Sequence, residues 1–267
     1  MKSGIVVLLL VSLGLVAAGC GNGTVASWFT DKPQPAPVTI DILCDASSGS
    51  SCNDDSLAET LHLALGTAAA HPGSTVRLWM QGRTIETTRV VGCAVSPTKR
   101  ITSRHARAEA AERWVSKELT FLTADGHAAM HGRIRRSPIA ESLGVIALAP
   151  VGAHEKHYVV AITDALEVSE FGEFECGRLP TPERFARLLA EHRVLAAHAL
   201  ARTDVRFCHV ELHPIDSERC RASLDRAAEV RDIWTRTLRA AGAAAVEIRQ
   251  GALGAIDPTY KETDPDV

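Results

Sequence analysis

The chain has 267 residues, with 29 Lys and Arg against 32 Asp and Glu and a formal net charge of −3. That mildly acidic balance excludes a protein built to grip nucleic acid generally, which needs an excess of cations facing the phosphates. The sequence has no P-loop lysine motif, Rossmann glycine triplet, His-Glu-x-x-His or Gly-x-Ser-x-Gly elbow, so none of the chemistry those motifs carry is indicated.

The first segment reads as a leader. Lys2 precedes an apolar run from Ile5 to Ala18, broken by Ser12 and Gly14, and the run ends at Gly19 and Cys20. It is too short for a membrane-spanning helix and fits a signal peptide over residues 1–19. Ala17-Ala18-Gly19-Cys20 resembles a bacterial lipobox, which implies a lipidated Cys20 at the mature N-terminus; a plain secretory signal cut near Ala18 and an uncleaved N-terminal anchor are the alternatives. Lipidation implies a membrane-bound envelope protein, and Gly21 in place of Asp after the cysteine favours the outer membrane. Residues 20–37, with Gly21, Gly23, Pro33, Pro35 and Pro37, read as a tether. Six further cysteines (Cys44, Cys52, Cys93, Cys176, Cys208 and Cys220) contain no Cys-x-x-Cys pair and point to disulfides in an oxidising compartment more than to metal ligation.

Residues 38–251 read as one domain. Val38 to Cys44 is rich in strand formers and runs into the turn composition Asp45-Ala46-Ser47-Ser48-Gly49-Ser50. Asp54 or Asp55 can cap a helix in which Leu57, Leu61, Ala64 and Leu65 recur at helical spacing, stopped by His71-Pro72-Gly73. Thr75 to Met80 is the next strand, and Gln81-Gly82-Arg83 allows a reversal into Thr84 to Val91 as an antiparallel hairpin. A polar helix is expected from Thr102 to Leu122, with Ala106, Ala110, Trp114 and Leu122 inward and Asp125-Gly126 ending it. Ser137-Pro138 opens a helix carrying Ile139, Leu143 and Ile146. His157 to Thr163 is a buried-type strand terminating at Asp164. Thr181-Pro182 starts another helix, Val205 to Leu212 is a strand, and a long helix with Val230, Ile233, Trp234 and Leu238 ends at Gly242. Ala244 to Ile248 is the last strand, and residues 252–267 read as a flexible tail. This alternation predicts an α/β fold: a doubly wound, mostly parallel sheet with one antiparallel edge strand and helices on both faces, Rossmann-like in its winding.

In such a sheet, ligands bind beyond the carboxyl ends of the strands, where the strand order reverses. Asp45 with its serines, Ser137 and Asp164 all fall at strand or helix ends of that kind. Two carboxylates with several hydroxyls suit a hard cation, Mg²⁺, Mn²⁺ or Ca²⁺. Turn and capping roles account for the same residues without a metal. The pattern resembles the von Willebrand factor A (VWA) domain, whose metal-ion-dependent adhesion site combines Asp-x-Ser-x-Ser, a Thr and a later Asp. Ser137-Pro138 is similar to the family's Thr-Pro-led helix, and Ile162-Thr163-Asp164 to the strand delivering its second Asp. The first motif departs from strict register, because Gly49 stands where the second Ser belongs; one inserted residue restores Ser48-Gly49-Ser50. The resemblance spans roughly residues 38–251 and implies a metal set of Asp45, Ser47, Ser48, Ser50, Ser137 and Asp164, with a protein ligand whose carboxylate completes the cation's shell.

Weaker clusters remain. His209, Glu211 and His213 alternate along one expected strand and share a face, as a transition-metal seat or a half-buried edge. His154 and His157 read as part of a solvated turn. Glu167, Glu170, Glu173 and Glu175 read as a solvated acidic loop, and Arg133, Arg135 and Arg136 as contacts to water or an acidic partner. The functional expectation is an envelope-anchored binding protein without catalysis. The alternatives are a scaffold lipoprotein with a degenerate site, or a serine hydrolase using Ser48 or Ser50 with a His.

Overall fold

The computed structural model describes residues 35–47, 52–98, 103–130, 136–175, 177–210 and 224–257. Cys20, Ser48, Ser50, Arg133, Arg135, Cys176, Glu211, His213 and Cys220 lie outside them. Six strands form one sheet: β1 Val38–Cys44, β2 Thr75–Met80, β3 Arg89–Val95, β4 Lys156–Ile162, β5 Thr203–Cys208 and β6 Ala245–Ile248. Their spatial order is β3-β2-β1-β4-β5-β6, and only β3 is antiparallel to its neighbour. The order reverses between β1 and β4, which is where a doubly wound sheet opens a crevice.

Two apolar layers sandwich the sheet. Ile40, Ile42, Cys44, Val76, Leu78, Tyr158, Val160 and Ile162 point to one face, where they meet Leu57, Leu61, Ala64 and Leu65 of α1 (Asp54–Ala70) and Leu122 of α2 (Arg104–Ala129). Leu43, Trp79, Val159, Ala161, Val205 and Phe207 point to the other. There they meet α3 (Ile139–Ala147), α4 (Pro182–Glu191) and α5 (Leu224–Ala240). The period-two alternation of strands covered on both sides explains why apolar residues of one strand serve both faces. Among the described residues no helix is long and apolar enough to cross a membrane.

Several boundaries differ from the sequence reading for local reasons. Asn53, one residue earlier than expected, caps α1 by accepting from the N–H groups of Asp55 and Ser56. The hairpin's second strand is β3, Arg89–Val95, because Thr84 and Thr87 close a short 3-10 turn over Ile85–Thr87 first. Asp125-Gly126 does not end α2. A side chain at Gly126 would meet Leu57 Cδ2 at 2.5 Å, so this glycine permits close helix packing. β5 stops at Cys208, since His209 takes a left-handed φ of 56°. That turn takes His209 out of the alternating row expected with Glu211 and His213. Leu253 and Ile256, in the segment expected to be loose, are buried, and Arg206 of β5 donates to the carbonyls of Ala255 and Ile256 at 2.6 and 2.8 Å.

The cysteines are used in more than one way. Cys44 and Cys52 form a disulfide, and Cys93 is also disulfide-bonded. Cys208 is a free, buried thiol, which corrects the expectation that all six pair. Burial pushes it up to about 12, so it packs as an apolar side chain.

Candidate functional site

β1, β2 and β4 end level with one another: Cys44 is in register with Met80 on one side and Ile162 on the other. The next residue along each strand is therefore Asp45, Gln81 or Thr163. Asp45 N–H donates to Ile162 O at 3.1 Å and Gln81 N–H to Cys44 O at 3.0 Å, extending the ladder one step past the strands. The three side chains meet on the rim of the β1–β4 crevice.

Asp45 is fully buried and organises the rim. Its Oδ1 accepts from the Ser47 N–H at 2.9 Å and from the side-chain amide of Gln81 in the orientation that sets nitrogen against the carboxylate. Its Oδ2 accepts from Ser137 Oγ at 2.9 Å and Thr163 Oγ1 at 2.8 Å. Each hydroxyl thus commits its only proton to Asp45, and Thr163 Oγ1 also accepts from the Ala165 N–H at 3.1 Å. The disulfide fixes the base of the loop that carries Ser47, joining the end of β1 to the residue before α1's cap, with the two Cα atoms 5.6 Å apart. Beside Ser47 a cleft opens between the start of α1 and the end of α2, lined by Cys52, Asp54, His127 and Met130.

Ser137 and Thr163, the residue before Asp164, both hydrogen-bond Asp45, and the loops that carry them are paired. Ser137 and Val168 exchange main-chain hydrogen bonds at 3.1 and 3.0 Å, just ahead of α3. Asp164 accepts from Leu166 N–H at 2.9 Å, and the following Ala165 sits at φ 65°, a conformation that L-residues adopt at some cost. α5 supports it: Trp234 Nε1 donates to Ala165 O at 2.9 Å, and Arg226 holds the carbonyls of Phe174 and Gly177. Phe174, Phe185 and Phe207 pack around the Trp234 ring at centroid distances of 5.3 to 6.0 Å. Such aromatic contacts contribute about 0.5–1.5 kcal/mol each beyond area burial, which anchors the loop from below.

The electrostatics of this rim are unfavourable. Burial raises Asp45 above the usual carboxylate range, and the hydrogen bonds from Ser47, Thr163 and Ser137 offset only part of that. Burial and then the charge of Asp45 push Asp164 up to about 8. Burial also pushes Glu167 up to about 8, although Ser169 and the Ala140 N–H hydrogen-bond to it. Glu167, expected in a solvated loop, is fully buried against the first turn of α3. Two buried carboxylates that repel one another disfavour full ionisation.

Of the six residues expected to form a metal set, Asp45, Ser47, Ser137 and Asp164 stand at this rim, and Ser48 and Ser50 lie outside the described residues. Among the described residues no three His, Cys, Asp or Glu come together at metal-binding spacing. The oxygen donors on offer are two carboxylates and hydroxyls, a set that fits a hard cation such as Mg²⁺, Mn²⁺ or Ca²⁺ better than a metal that prefers nitrogen or sulfur ligands. Thr163 and Gln81 were missed in the sequence. Each directly follows the last residue of a core strand, and that position was the available signal. Two outlying expectations also change. His157 is buried in β4, not part of a solvated turn, and His209 Nε2 lies 3.7 Å from Glu59.

No family model matches the chain, and no curated protein matches it. Solved structures similar to it include an aerotolerance-related membrane protein from Bacteroides fragilis carrying mutations to serine. Identity is 13%, coverage 79% of this chain and 90% of that one, and the TM-score 0.37. The conserved hypothetical protein BatB from Bacteroides thetaiotaomicron is 13% identical over 81% of this chain and 91% of its own, with a TM-score of 0.36. Proximal thread matrix protein 1 from the mussel byssus is 12% identical with a TM-score of 0.38, and the match spans 42% of its length.

Proposed function

We propose that this chain is an exported, lipid-anchored binding protein whose VWA-like domain holds a protein ligand through a divalent cation at the β1–β4 rim. One observation carries the reading: Ser137 and Thr163 both donate to Asp45, and burial together with the charge of Asp45 raises Asp164. The arrangement gathers hydroxyl oxygens and two carboxyls whose ionisation a bound cation would favour. Asp45, Ser47, Ser137 and Asp164 would hold Mg²⁺ or Mn²⁺, with Ca²⁺ as the alternative. The bound ion would supply a positive charge for a partner's carboxylate. Cys20 would tie the domain to the bacterial envelope, on the outer membrane, through the tether of residues 20–37.

The test is thermal melting of the protein with Mg²⁺, Mn²⁺ or EDTA. A cation that binds only the native state raises the melting temperature. The reading predicts such a rise in the wild type and none in Asp45→Ala; identical melting curves with and without every divalent ion would overturn it. A Cys20→Ser variant should move from the membrane fraction to the soluble envelope fraction.

A specific observation favours a second reading, a scaffold lipoprotein that needs no cation. Asp45 offers about four acceptor positions, and Ser47, Gln81, Ser137 and Thr163 occupy as many with no ion required. Cation-independent melting together with retained partner capture in Asp164→Asn would select it.

A further inference from the structure

Gln81 lies outside the metal set that the sequence implies, yet it touches both sides of the rim. Its side chain is 3% exposed, and its amide donates to Asp45 Oδ1 while accepting from Ile139 N–H at 3.2 Å. Its main-chain N–H is bound to Cys44 O. One planar amide therefore connects the end of β1, the end of β2 and the first turn of α3. The turn behind it is braced as well. Gly82 N–H donates to Thr88 Oγ1 at 3.1 Å, and that hydroxyl meets Ser142 Oγ of α3 at 3.1 Å. A side chain at Gly82 would overlap Thr87, so the turn has no slack there. Ile139 N–H also lies 3.0 Å from Ser137 O, so whatever holds Ile139 fixes the Ser137 end of the site.

We propose that Gln81 is a positioning residue that fixes the spacing between Asp45 and Ser137 and so makes the rim selective for Mg²⁺ over Ca²⁺. The inference rests on the cation reading above and adds a selectivity to it. Mg²⁺ tolerates little departure from octahedral ligands at about 2.0–2.1 Å, whereas Ca²⁺ accepts looser shells at about 2.3–2.6 Å. A rim held from both sides by one amide suits the stricter ion, and a loosened rim gives up that ion first. Groups that orient metal ligands from behind typically change affinity by about 10–100-fold when removed.

The experiment is calorimetric titration of the full chain with MgCl₂ and with CaCl₂, comparing wild type with Gln81→Met. Methionine keeps the unbranched shape and buried volume but loses both amide hydrogen bonds. The expected result is a fall of about tenfold or more in Mg²⁺ affinity with Ca²⁺ affinity within about twofold. Thr88→Val, which frees the turn without touching Asp45, should shift the ratio in the same direction by less, and it carries the test if Gln81→Met does not fold. Equal losses for both ions, or no change for either, would overturn the role of Gln81 while leaving the cation reading intact. A wild type that binds neither ion would remove both.

Discussion

Asp41 and Asp45 are four residues apart on the same strand path, both fully buried, and their surroundings are opposite. Asp41 accepts from Arg77 Nε and Trp79 Nε1 on one oxygen, and from Arg77 Nη2 and His157 Nε2 on the other, at 2.6 to 2.7 Å. The outer partners are tied in turn: Arg77 Nη1 donates to Pro150 O at 2.9 Å, and His157 Nδ1 meets Thr203 Oγ1 at 3.0 Å. Burial alone would raise Asp41, but the hydrogen bonds from His157 and Arg77 prevail and hold it below the usual carboxylate range. Asp45 has hydroxyl and amide donors only and is raised. A buried carboxylate with a matched cation is a structural device, whereas one facing a second carboxylate is strain that a ligand can relieve.

The comparison breaks most readily at Asp41. Asp41→Ala leaves Arg77 and His157 buried without their acceptor and should cost about 3–5 kcal/mol in urea denaturation; a loss under ~1 kcal/mol would mean the network is ornamental. Cys52→Ser opens the short loop below Ser47 and should cost about 2.5 kcal/mol from loop-closure entropy, which chemical denaturation under non-reducing conditions can read. Asp164→Asn should have the opposite sign to Asp41→Ala. Without added cation, neutralising one of two repelling carboxyls leaves stability unchanged or raises it by up to about 1 kcal/mol. A clear destabilisation there would show that Asp164 is structural.

A further contrast concerns pH. Glu167 is held near 8 when native and titrates near its ordinary value of 4.5 when unfolded. Between those values the native state keeps a proton that the unfolded chain has lost, so this group's stabilisation is full below about pH 4.5 and fades as pH rises towards 8. Asp41 acts in reverse: its contribution is present above its unfolded pKa and is lost as pH falls through its depressed native value. Glu167→Gln should make the alkaline fall of the stability profile shallower, with Asp164 retaining part of it, and leave the acid side alone. Thermal melts from pH 3 to 9 would show either outcome.

Much of the architecture was legible because burial on both faces writes itself into strand composition. Val38 to Cys44 and His157 to Thr163 could hardly be anything but interior strands, and Asp45 and Asp164 follow from where such strands stop. Single tertiary contacts were not legible. Gly126 looks like a helix terminator in sequence, and only Leu57 and Leu78 across the helix interface explain why it is not. Glu167 stands among acidic residues that suggest solvent, and the α3 N-terminus that buries it is distant in sequence. Gln81 resembled half of a tight turn, because nothing local reveals that its amide meets Asp45 and Ile139. Of the two readings of His157, strand start and solvated turn, the second failed for the same reason: its partner Asp41 is 116 residues away.

The two acidic side chains at the β1–β4 rim are proposed to form a seat for one divalent ion. Titration of the protein into Mn²⁺, with the free ion followed by electron paramagnetic resonance, counts that seat directly. The account predicts one saturable site per chain in the wild type and its disappearance in Asp164→Asn. An undiminished free-ion signal with the wild type, or equal binding by the variant, would contradict it.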